Sequence, residues 1–339
     1  MGAIGDFVRG MSLASHIKSS LPQSKITWLV EPVCAQLARS HPQIDKVIMF
    51  DRPKNVLALL GLYRALYREE FDIVLDLQRH FKSGFFSLLS GAKRRIGFNK
   101  RNAKELNWLF NNEHIAYFNE DTPKIDHYFE FTKYLGLPNP VRPDFGFSWL
   151  DLKTGAPEIA TMIHKPFVAV VMGSSWESKN WIPEGYYHLI QKILSSGRLN
   201  VVLVGDSSQT AIAEDLFARI SSPDPSNVQN GKLANLVGKT SLMELTAVLK
   251  EAAAGVGPDS GPGHLASAVG TRYVSLFGPT SPKRVAPYGS EHLVVQADGV
   301  CAPCNKRRCP ESHKRCMRDI RIEDVIDKLS DALGITGSK

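Results

Sequence analysis

The 339-residue chain has little of what would place it outside ordinary aqueous proteins. It has no run of about 18 or more uncharged apolar residues, so no membrane-spanning helix is expected. Its first residues, Met1-Gly2-Ala3-Ile4-Gly5-Asp6, carry no charged lead followed by an apolar core. No signal peptide is therefore expected, and a cytoplasmic location follows as the default. No low-complexity tract or short repeat is present. Cysteine is scarce, at five residues, and four of those crowd into one segment near the end. What remains is 43% hydrophobic and 22% charged, the balance of a soluble globular protein. The length suits two domains of ordinary size.

A net charge of +7 implies an acidic partner or simple solubility. The distribution narrows this. Arg79, Lys82, Lys93, Arg94, Arg95, Lys100, Arg101 and Lys104 follow one another with no acid between them. Such a run is either a solvated face or a surface that meets phosphate groups, on nucleic acid or on an anionic membrane.

Short β-rich apolar segments alternate with helical patterns. Strands are predicted at Lys25–Val30, Lys46–Phe50, Asp72–Asp76, Arg94–Gly97, Phe167–Met172, Asn200–Val204, Ala252–Val256 and Tyr273–Phe277. Helices are predicted at Phe7–Ser20, Val56–Arg68, Glu184–Leu194, Gln209–Ile220, Ser241–Leu249 and Leu265–Val269. That alternation marks βαβ units and parallel sheets. It breaks at the Pro-rich stretch from Leu137 to Pro157. The expected architecture is α/β: two αβα domains, residues 1–150 and 151–339, facing each other across a cleft. A doubly wound domain ordinarily opens with an apolar strand feeding a Gly-containing turn. Here the turn, Gly2 to Asp6, comes first, so the first sheet is expected to lack a strand of about six residues.

Three turns carry polar groups that packing does not need. Gly257-Pro258-Asp259-Ser260-Gly261-Pro262-Gly263-His264 follows an apolar strand and opens a helix. Backbone N–H groups from Ser260 to Gly263, with the positive end of a helix dipole, suit an anion such as a diphosphate. The competing reading is a tight βα turn and nothing more. Gly173-Ser174-Ser175-Trp176-Glu177-Ser178-Lys179 also follows a strand and precedes a helix that opens on Pro183. Ser174 and Ser175 can donate hydrogen bonds and Lys179 can place a charge beside a phosphate, at the strand end where ligands of parallel sheets bind. The third is Gly5-Asp6 with Arg9, where Asp6 is either a helix cap or a carboxylate able to take a proton from an attacking hydroxyl.

The cysteine segment reads Cys301-x2-Cys304-x4-Cys309-x6-Cys316, with Lys306, Arg307, Arg308, Lys314 and Arg315 between the cysteines. Only the first pair has the spacing of a zinc ribbon. Reduced packing cysteines, a structural zinc and a disulfide all stay open. No acidic Asp-x-Asp metal clamp is apparent, and a bound divalent ion stays open.

Together these residues resemble a known family. Asp259–Ala266, then Leu276-Phe277-Gly278-Pro279-Thr280-Ser281-Pro282 and Pro287-Tyr288-Gly289, are similar to the C-terminal signature of glycosyltransferase family 9, the ADP-heptose:lipopolysaccharide heptosyltransferases and relatives. Gly5-Asp6, Trp28-Leu29-Val30-Glu31, Asp76-Leu77-Gln78, Arg95-Ile96-Gly97-Phe98, Lys179-Asn180-Trp181 and the tail ending Cys316-Met317 match in order. The resemblance spans essentially the whole chain. It implies a GT-B fold of two Rossmann-like domains, the first binding the acceptor and the second a nucleotide sugar. It implies Asp6 as general base, Lys179 on the donor phosphate, and donor contacts from Asp259, Ser260, Gly261 and His264. Gly2 and Ala3 replace the hydroxyl residues common in the family, and Asp206 is a loose counterpart of its ribose-binding acid.

The reaction so implied moves heptose from ADP-heptose to a lipopolysaccharide inner-core acceptor with inversion. Ser174, Ser175 and Gly263 complete the expected donor site. Arg9, Arg79, Lys82 and Arg95 are the expected acceptor contacts. No cofactor is required beyond the donor. The acceptor, lipid A–core, places the enzyme peripherally at the cytoplasmic face of the inner membrane, and no nucleic-acid partner is expected. The alternatives are a nucleotide-sugar epimerase on the same fold and a non-catalytic zinc or nucleic-acid binder.

Overall fold

The computed structural model describes residues 4–51, 56–223, 226–297, 301–310 and 315–335. Gly2 and Ala3 of the expected N-terminal turn and Lys314 of the basic tail lie outside the described residues. The chain divides into two compact units, Met1–Gly146 and Phe147–Lys339. Residues 147–150 fall in the second unit. Their backbone is tied there by Lys250, whose Nζ donates to the carbonyls of Phe147 (3.2 Å) and Ser148 (2.7 Å).

The N-terminal unit runs α1 (Ile4–Ser20), β1 (Thr27–Val30), α2 (Pro32–Arg39), β2 (Lys46–Met49), α3 (Val56–Tyr67), β3 (Ile73–Leu75), α4 (Phe81–Leu89), β4 (Arg94–Gly97), β5 (Glu113–His114) and α5 (Lys124–Tyr134). All strand pairs are parallel. They form two separate sheets, β1-β2 and β3-β4-β5. Among the described residues no strand joins β1 to β3, in keeping with the strand expected to be missing. Successive strand residues point to opposite faces. Trp28 meets Phe7 of α1 edge to face, whereas Leu29 packs with Ile48, Phe50, Leu66 and Phe86 on the α3/α4 side.

The helix that follows the expected N-terminal turn begins earlier than predicted, at Ile4. Asp6 therefore lies in the first helical turn and not ahead of it. A carboxylate there is stabilised by the helix dipole, which explains why a cap-like residue sits inside the helix.

The C-terminal unit runs β6 (Phe167–Val171), α6 (Pro183–Ser195), β7 (Asn200–Val204), α7 (Thr210–Ser221), β8 (Leu233–Asn235), α8 (Leu242–Glu251), β9 (Ala254–Pro258), α9 (Gly261–Ala268), β10 (Tyr273–Phe277), β11 (Val294–Gln296) and α10 (Ile322–Leu333), with shorter turns between. Six parallel strands lie in the order β11-β10-β9-β6-β7-β8. This is the Rossmann order, with the reversal between β6 and β9. Every residue of β6, β9 and β10 is buried, as a parallel sheet covered on both faces requires.

Caps fix the helix starts. Ser241 and Glu244 form a capping box on α8, and Pro183 opens α6. The helix after β9 starts at Gly261, four residues before the predicted Leu265. Pro262 belongs in a first turn because the N–H it lacks would have no intrahelical partner there.

Candidate active site

In the C-terminal unit, the loops after β6 and β9 leave the sheet on either side of the strand-order reversal, where ligands of open α/β sheets bind. Lys179, in the short turn Glu177–Lys179 after β6, reaches Asp259 at the end of β9: Nζ to Oδ2 is 2.7 Å. Thr280, after β10, donates from Oγ1 to the same carboxylate oxygen at 2.7 Å. Three loops from three adjacent strands thus meet on one buried carboxylate. Lys179 also lies over the ring of Trp176 at 4.5 Å.

Beside this cluster, α9 begins with Ser260 at its N-cap, whose side chain makes no cap hydrogen bond. The first turn of the helix is left to offer its amides and dipole to an anion. Two glycines let the backbone come this close. A Cβ on Gly257 would sit 2.6 Å from the Val171 carbonyl oxygen, and one on Gly263 would sit 2.7 Å from the Tyr273 ring. Gly263 thus has a packing reason of its own, besides any ligand contact through its amide.

The remaining donor candidates are also located. Ser174 donates from its backbone N–H to Asn180 Oδ1 (2.7 Å), and its hydroxyl closes a turn with the Trp176 carbonyl oxygen (3.0 Å). Ser175 is exposed at the adjoining bend, and His264 is buried in α9. Asp206 caps the next turn, accepting from the Ser208 N–H at 2.7 Å.

The cysteine segment docks onto these same loops. Ser178 Oγ donates to the Lys306 carbonyl oxygen (2.6 Å), and Asn305 N–H to that of Pro279 (2.7 Å). Arg307 comes to 5.4 Å from the Trp176 ring. The four tail cysteines are free thiols; Cys316 is buried, Cys304 and Cys309 are half-buried and Cys301 is exposed. Burial raises the Cys316 pKa, and the other three cysteines add to the effect. Among the described residues no three His, Cys, Asp or Glu side chains converge as metal ligands.

In the N-terminal unit, Asp6 is the centre of a second polar cluster. Its Oδ1 accepts from Arg9 at 2.9 Å and from Lys124 of α5 at 3.4 Å, and 26% of its side chain is exposed. Burial pushes its pKa upward, but Lys124 and Arg9 outweigh this and hold it below the ordinary value. Asp6 is therefore ionised at neutral pH and able to accept a proton. Arg9, one of the expected acceptor contacts, is a buried partner of Asp6 on the same helix. Lys124 lies 118 residues away in sequence and no pattern pointed to it.

The basic run does not form one open surface. Arg79 bonds Glu120 (2.6 Å) and His127 (3.1 Å) and stacks on Phe98 and Phe118. Arg94 makes a bidentate pair with Glu113, and Arg95 donates to the Phe110 and Ala92 carbonyl oxygens. Lys82 covers the Phe50 ring at 3.7 Å. An acid and backbone carbonyls of the same unit thus pair with Arg79 and Arg95, two of the expected acceptor contacts. Lys93, Lys100, Arg101 and Lys104 stay exposed. Asp76 is a further buried carboxylate. It accepts from Asn107 (2.7 Å), Asn111 (3.2 Å) and the Gln78 N–H (3.1 Å), and burial raises its pKa.

The family model described as glycosyltransferase family 9 (heptosyltransferase) matches residues 59–315. The chain belongs to that family. It is 28% identical over 297 residues to the lipopolysaccharide core heptosyltransferase OpsX of Haemophilus influenzae, covering 87% of this chain and 82% of that one. Among solved structures it is similar to E. coli ADP-heptose lps heptosyltransferase II, at a TM-score of 0.77 and 20% identity over 98% of this chain and 96% of the other. It is also similar to the E. coli heptosyltransferase WaaC with ADP, at a TM-score of 0.75 and 20% identity over 98% of both chains. WaaC has a further structure with ADP-2-deoxy-2-fluoro heptose. The GT-B fold expected from the sequence is that of these neighbours. As a family 9 member the chain is a glycosyltransferase, and the epimerase reading and that of a non-catalytic binding protein fall away. Among the described residues no helix is long and apolar enough to cross a membrane.

Proposed function

We propose that this family 9 enzyme transfers a heptose from ADP-heptose to an inner-core sugar of lipopolysaccharide with inversion. The observation that carries the reading is the Lys179 ammonium, held by Asp259 beside the uncapped start of α9. It joins a cation and helix amides at the strand-order switch, as a sugar diphosphate requires. The C-terminal unit then binds the donor. Asp259, itself anionic, positions Lys179 and does not touch phosphate. The developing charge on departing ADP falls on Lys179 and the first amides of α9. That chemistry calls on no cofactor.

The N-terminal unit supplies the base. An acceptor hydroxyl attacks the anomeric carbon, Asp6 takes its proton, the bond to the ADP oxygen breaks, and ADP leaves with the electron pair. Arg9 and Lys124 keep Asp6 ionised and oriented for this step. A general base contributes about 10²–10⁴ in rate.

The acceptor is a lipid A–core molecule at the cytoplasmic face of the inner membrane. In support, α3, α4 and the turn at Asn107–Leu109 expose Leu57 (77%), Leu60, Phe81, Leu88 and Leu109, and the same unit exposes Lys100, Arg101 and Lys104. Exposed apolar side chains and exposed cations are what an anionic bilayer surface attracts. The test is purified protein with ADP-heptose and a panel of truncated core acceptors. Heptosylated product with one acceptor and none without acceptor supports the reading. Donor turnover with acceptor absent, or no transfer to any core, overturns it.

A further inference from the structure

The basic tail segment is tied to the donor loops at two points that flank one strand. Asn305 donates its backbone N–H to the Pro279 carbonyl oxygen (2.7 Å), in the loop after β10. Ser178, buried in the loop after β6, donates its backbone N–H to the Arg307 carbonyl oxygen (3.2 Å). Its hydroxyl donates to the Lys306 carbonyl oxygen at 2.6 Å. β10 and β6 are the two neighbours of β9 in the sheet. Residues 305–307 thus join the loops on either side of the strand that leads into Asp259 and α9. Strands two apart are separated by about 10 Å, which three extended residues can span. Farther along, the tail is pinned again. A Cβ on Gly278 would sit 2.5 Å from Met317 Sδ and 2.8 Å from Cys316 Sγ.

This tether sets Arg307 close to Lys179. The Trp176 ring centre lies 4.5 Å from Lys179 Nζ and 5.4 Å from the Arg307 guanidinium carbon, so one indole holds both cations. Their charge balance differs. Lys179 is paired with Asp259, and that pair carries no net charge. Arg307 is exposed, and among the described residues no carboxylate pairs with it. A sugar diphosphate bears a negative charge on each phosphate, more than a neutral pair and helix amides offset. A guanidinium can give two parallel N–H bonds to a phosphate while its plane rests on an aromatic ring. We infer that Arg307 is a further donor-binding residue, whose guanidinium binds the diphosphate of the sugar nucleotide alongside Lys179. Ser178 is its positioning residue, because its bonds to the Lys306 and Arg307 carbonyls hold the backbone that carries this cation. The inference rests on the donor site proposed above and extends that site to the tail.

The experiment measures ADP binding to the full chain by calorimetry, in the wild type and in Arg307→Lys, Arg307→Gln and Arg307→Glu. Affinity should fall in that order, with a loss of about tenfold or more in Arg307→Gln, as for a hydrogen bond to a charged group. The thermal midpoint without ligand should stay unchanged, because the side chain is exposed. Arg308, the next exposed cation, is the control, and Arg308→Gln should bind ADP as the wild type does. Ser178→Ala should weaken ADP binding in the wild-type background and add little to Arg307→Gln. An equal loss in both backgrounds overturns its positioning role. Saturable ADP binding by the wild type tests the donor site by itself, and its absence overturns that reading and this one together. If the wild type binds and Arg307→Gln binds equally well, the donor site stands and the inference about Arg307 is overturned. Equal losses in Arg307→Gln and Arg308→Gln overturn it too, since they would report only the general charge of the segment.

Discussion

Lys179 Nζ lies 2.7 Å from Asp259 Oδ2, with 14% and 6% of the two side chains exposed. Removing one partner of so buried a pair leaves the other charge without compensation, at a cost of about 3–5 kcal/mol. Lys179→Met and Asp259→Asn should each lower the urea midpoint, and the double variant should recover part of the loss. Transfer should be lost in Lys179→Met and in the double variant, because recovered stability does not restore a cation for the diphosphate, and should fall in Asp259→Asn, which keeps Lys179 without the partner that positions it. Strictly additive destabilisation would mean that the two groups do not depend on each other.

Asp6 gives a prediction that separates chemistry from binding. Asp6→Asn keeps the shape and the contact to Arg9 but cannot take a proton. Turnover should fall by about 10²-fold or more, while ADP affinity, measured by calorimetry, stays unchanged. Near-wild-type turnover in the variant would remove Asp6 as the base.

The pH dependence follows from the cations around Asp6. Its folded pKa is depressed below the ordinary 3.8. The stability it contributes is present above its unfolded value and is lost as pH falls through the folded one. The acid limb of the rate profile should likewise lie below about pH 4, leaving turnover flat down to about pH 5. In Arg9→Met with Lys124→Met, burial acts without that opposition and the pKa rises. The acid limb should move upward, so activity at about pH 5 drops relative to about pH 8. An unmoved limb would show that another group sets it.

Much of this architecture was legible in the sequence, and the exceptions have physical causes. Phe167–Val171 and Tyr273–Phe277 are uninterrupted apolar runs, as interior parallel strands must be, so their place and type could be read directly. The strands Glu113–His114, Leu233–Asn235 and Val294–Gln296 were not found. Two or three residues carry too little pattern, and tertiary pairing alone makes them strands. Lys179 and Asp259 stood out because they sit at glycine-containing strand–helix junctions, and Asp6 because it follows a glycine at the start of a helix. Lys124, which holds Asp6, and Glu120 and Glu113, which occupy Arg79 and Arg94, are distant in sequence. Only the folded chain brings them to their partners, so part of a run that looked like an open cationic face is taken up by pairing within the unit.

That division sorts the basic residues. Reversing the exposed set, Lys93, Lys100, Arg101 and Lys104, to glutamate should raise the KM for a lipid A–core acceptor and weaken binding to phosphatidylglycerol vesicles, leaving ADP affinity alone. Leu57→Ser with Leu60→Ser should weaken the same vesicle binding by about tenfold or more, each buried methylene contributing about 0.8 kcal/mol. Arg79→Gln should instead lower the thermal midpoint through its lost bonds to Glu120 and His127. If the exposed set changed ADP affinity as much as acceptor use, those charges would be supporting the fold.

Glycine substitutions test the packing around the donor loops against a neutral site. Gly257→Ala drives a Cβ to 2.6 Å from the Val171 carbonyl oxygen and 2.7 Å from the Tyr273 hydroxyl. The first of these is backbone in a central strand and cannot give way cheaply. The variant should lose about 1–3 kcal/mol in urea denaturation and bind ADP more weakly, because β9 leads straight into Asp259. Gly61 lies inside α3 with nothing within 4 Å of its Cβ direction. Gly61→Ala should therefore gain about 0.5–1 kcal/mol from helix propensity and leave ADP affinity unchanged. A loss at Gly61, or no loss at Gly257, would contradict the packing described for the corresponding unit.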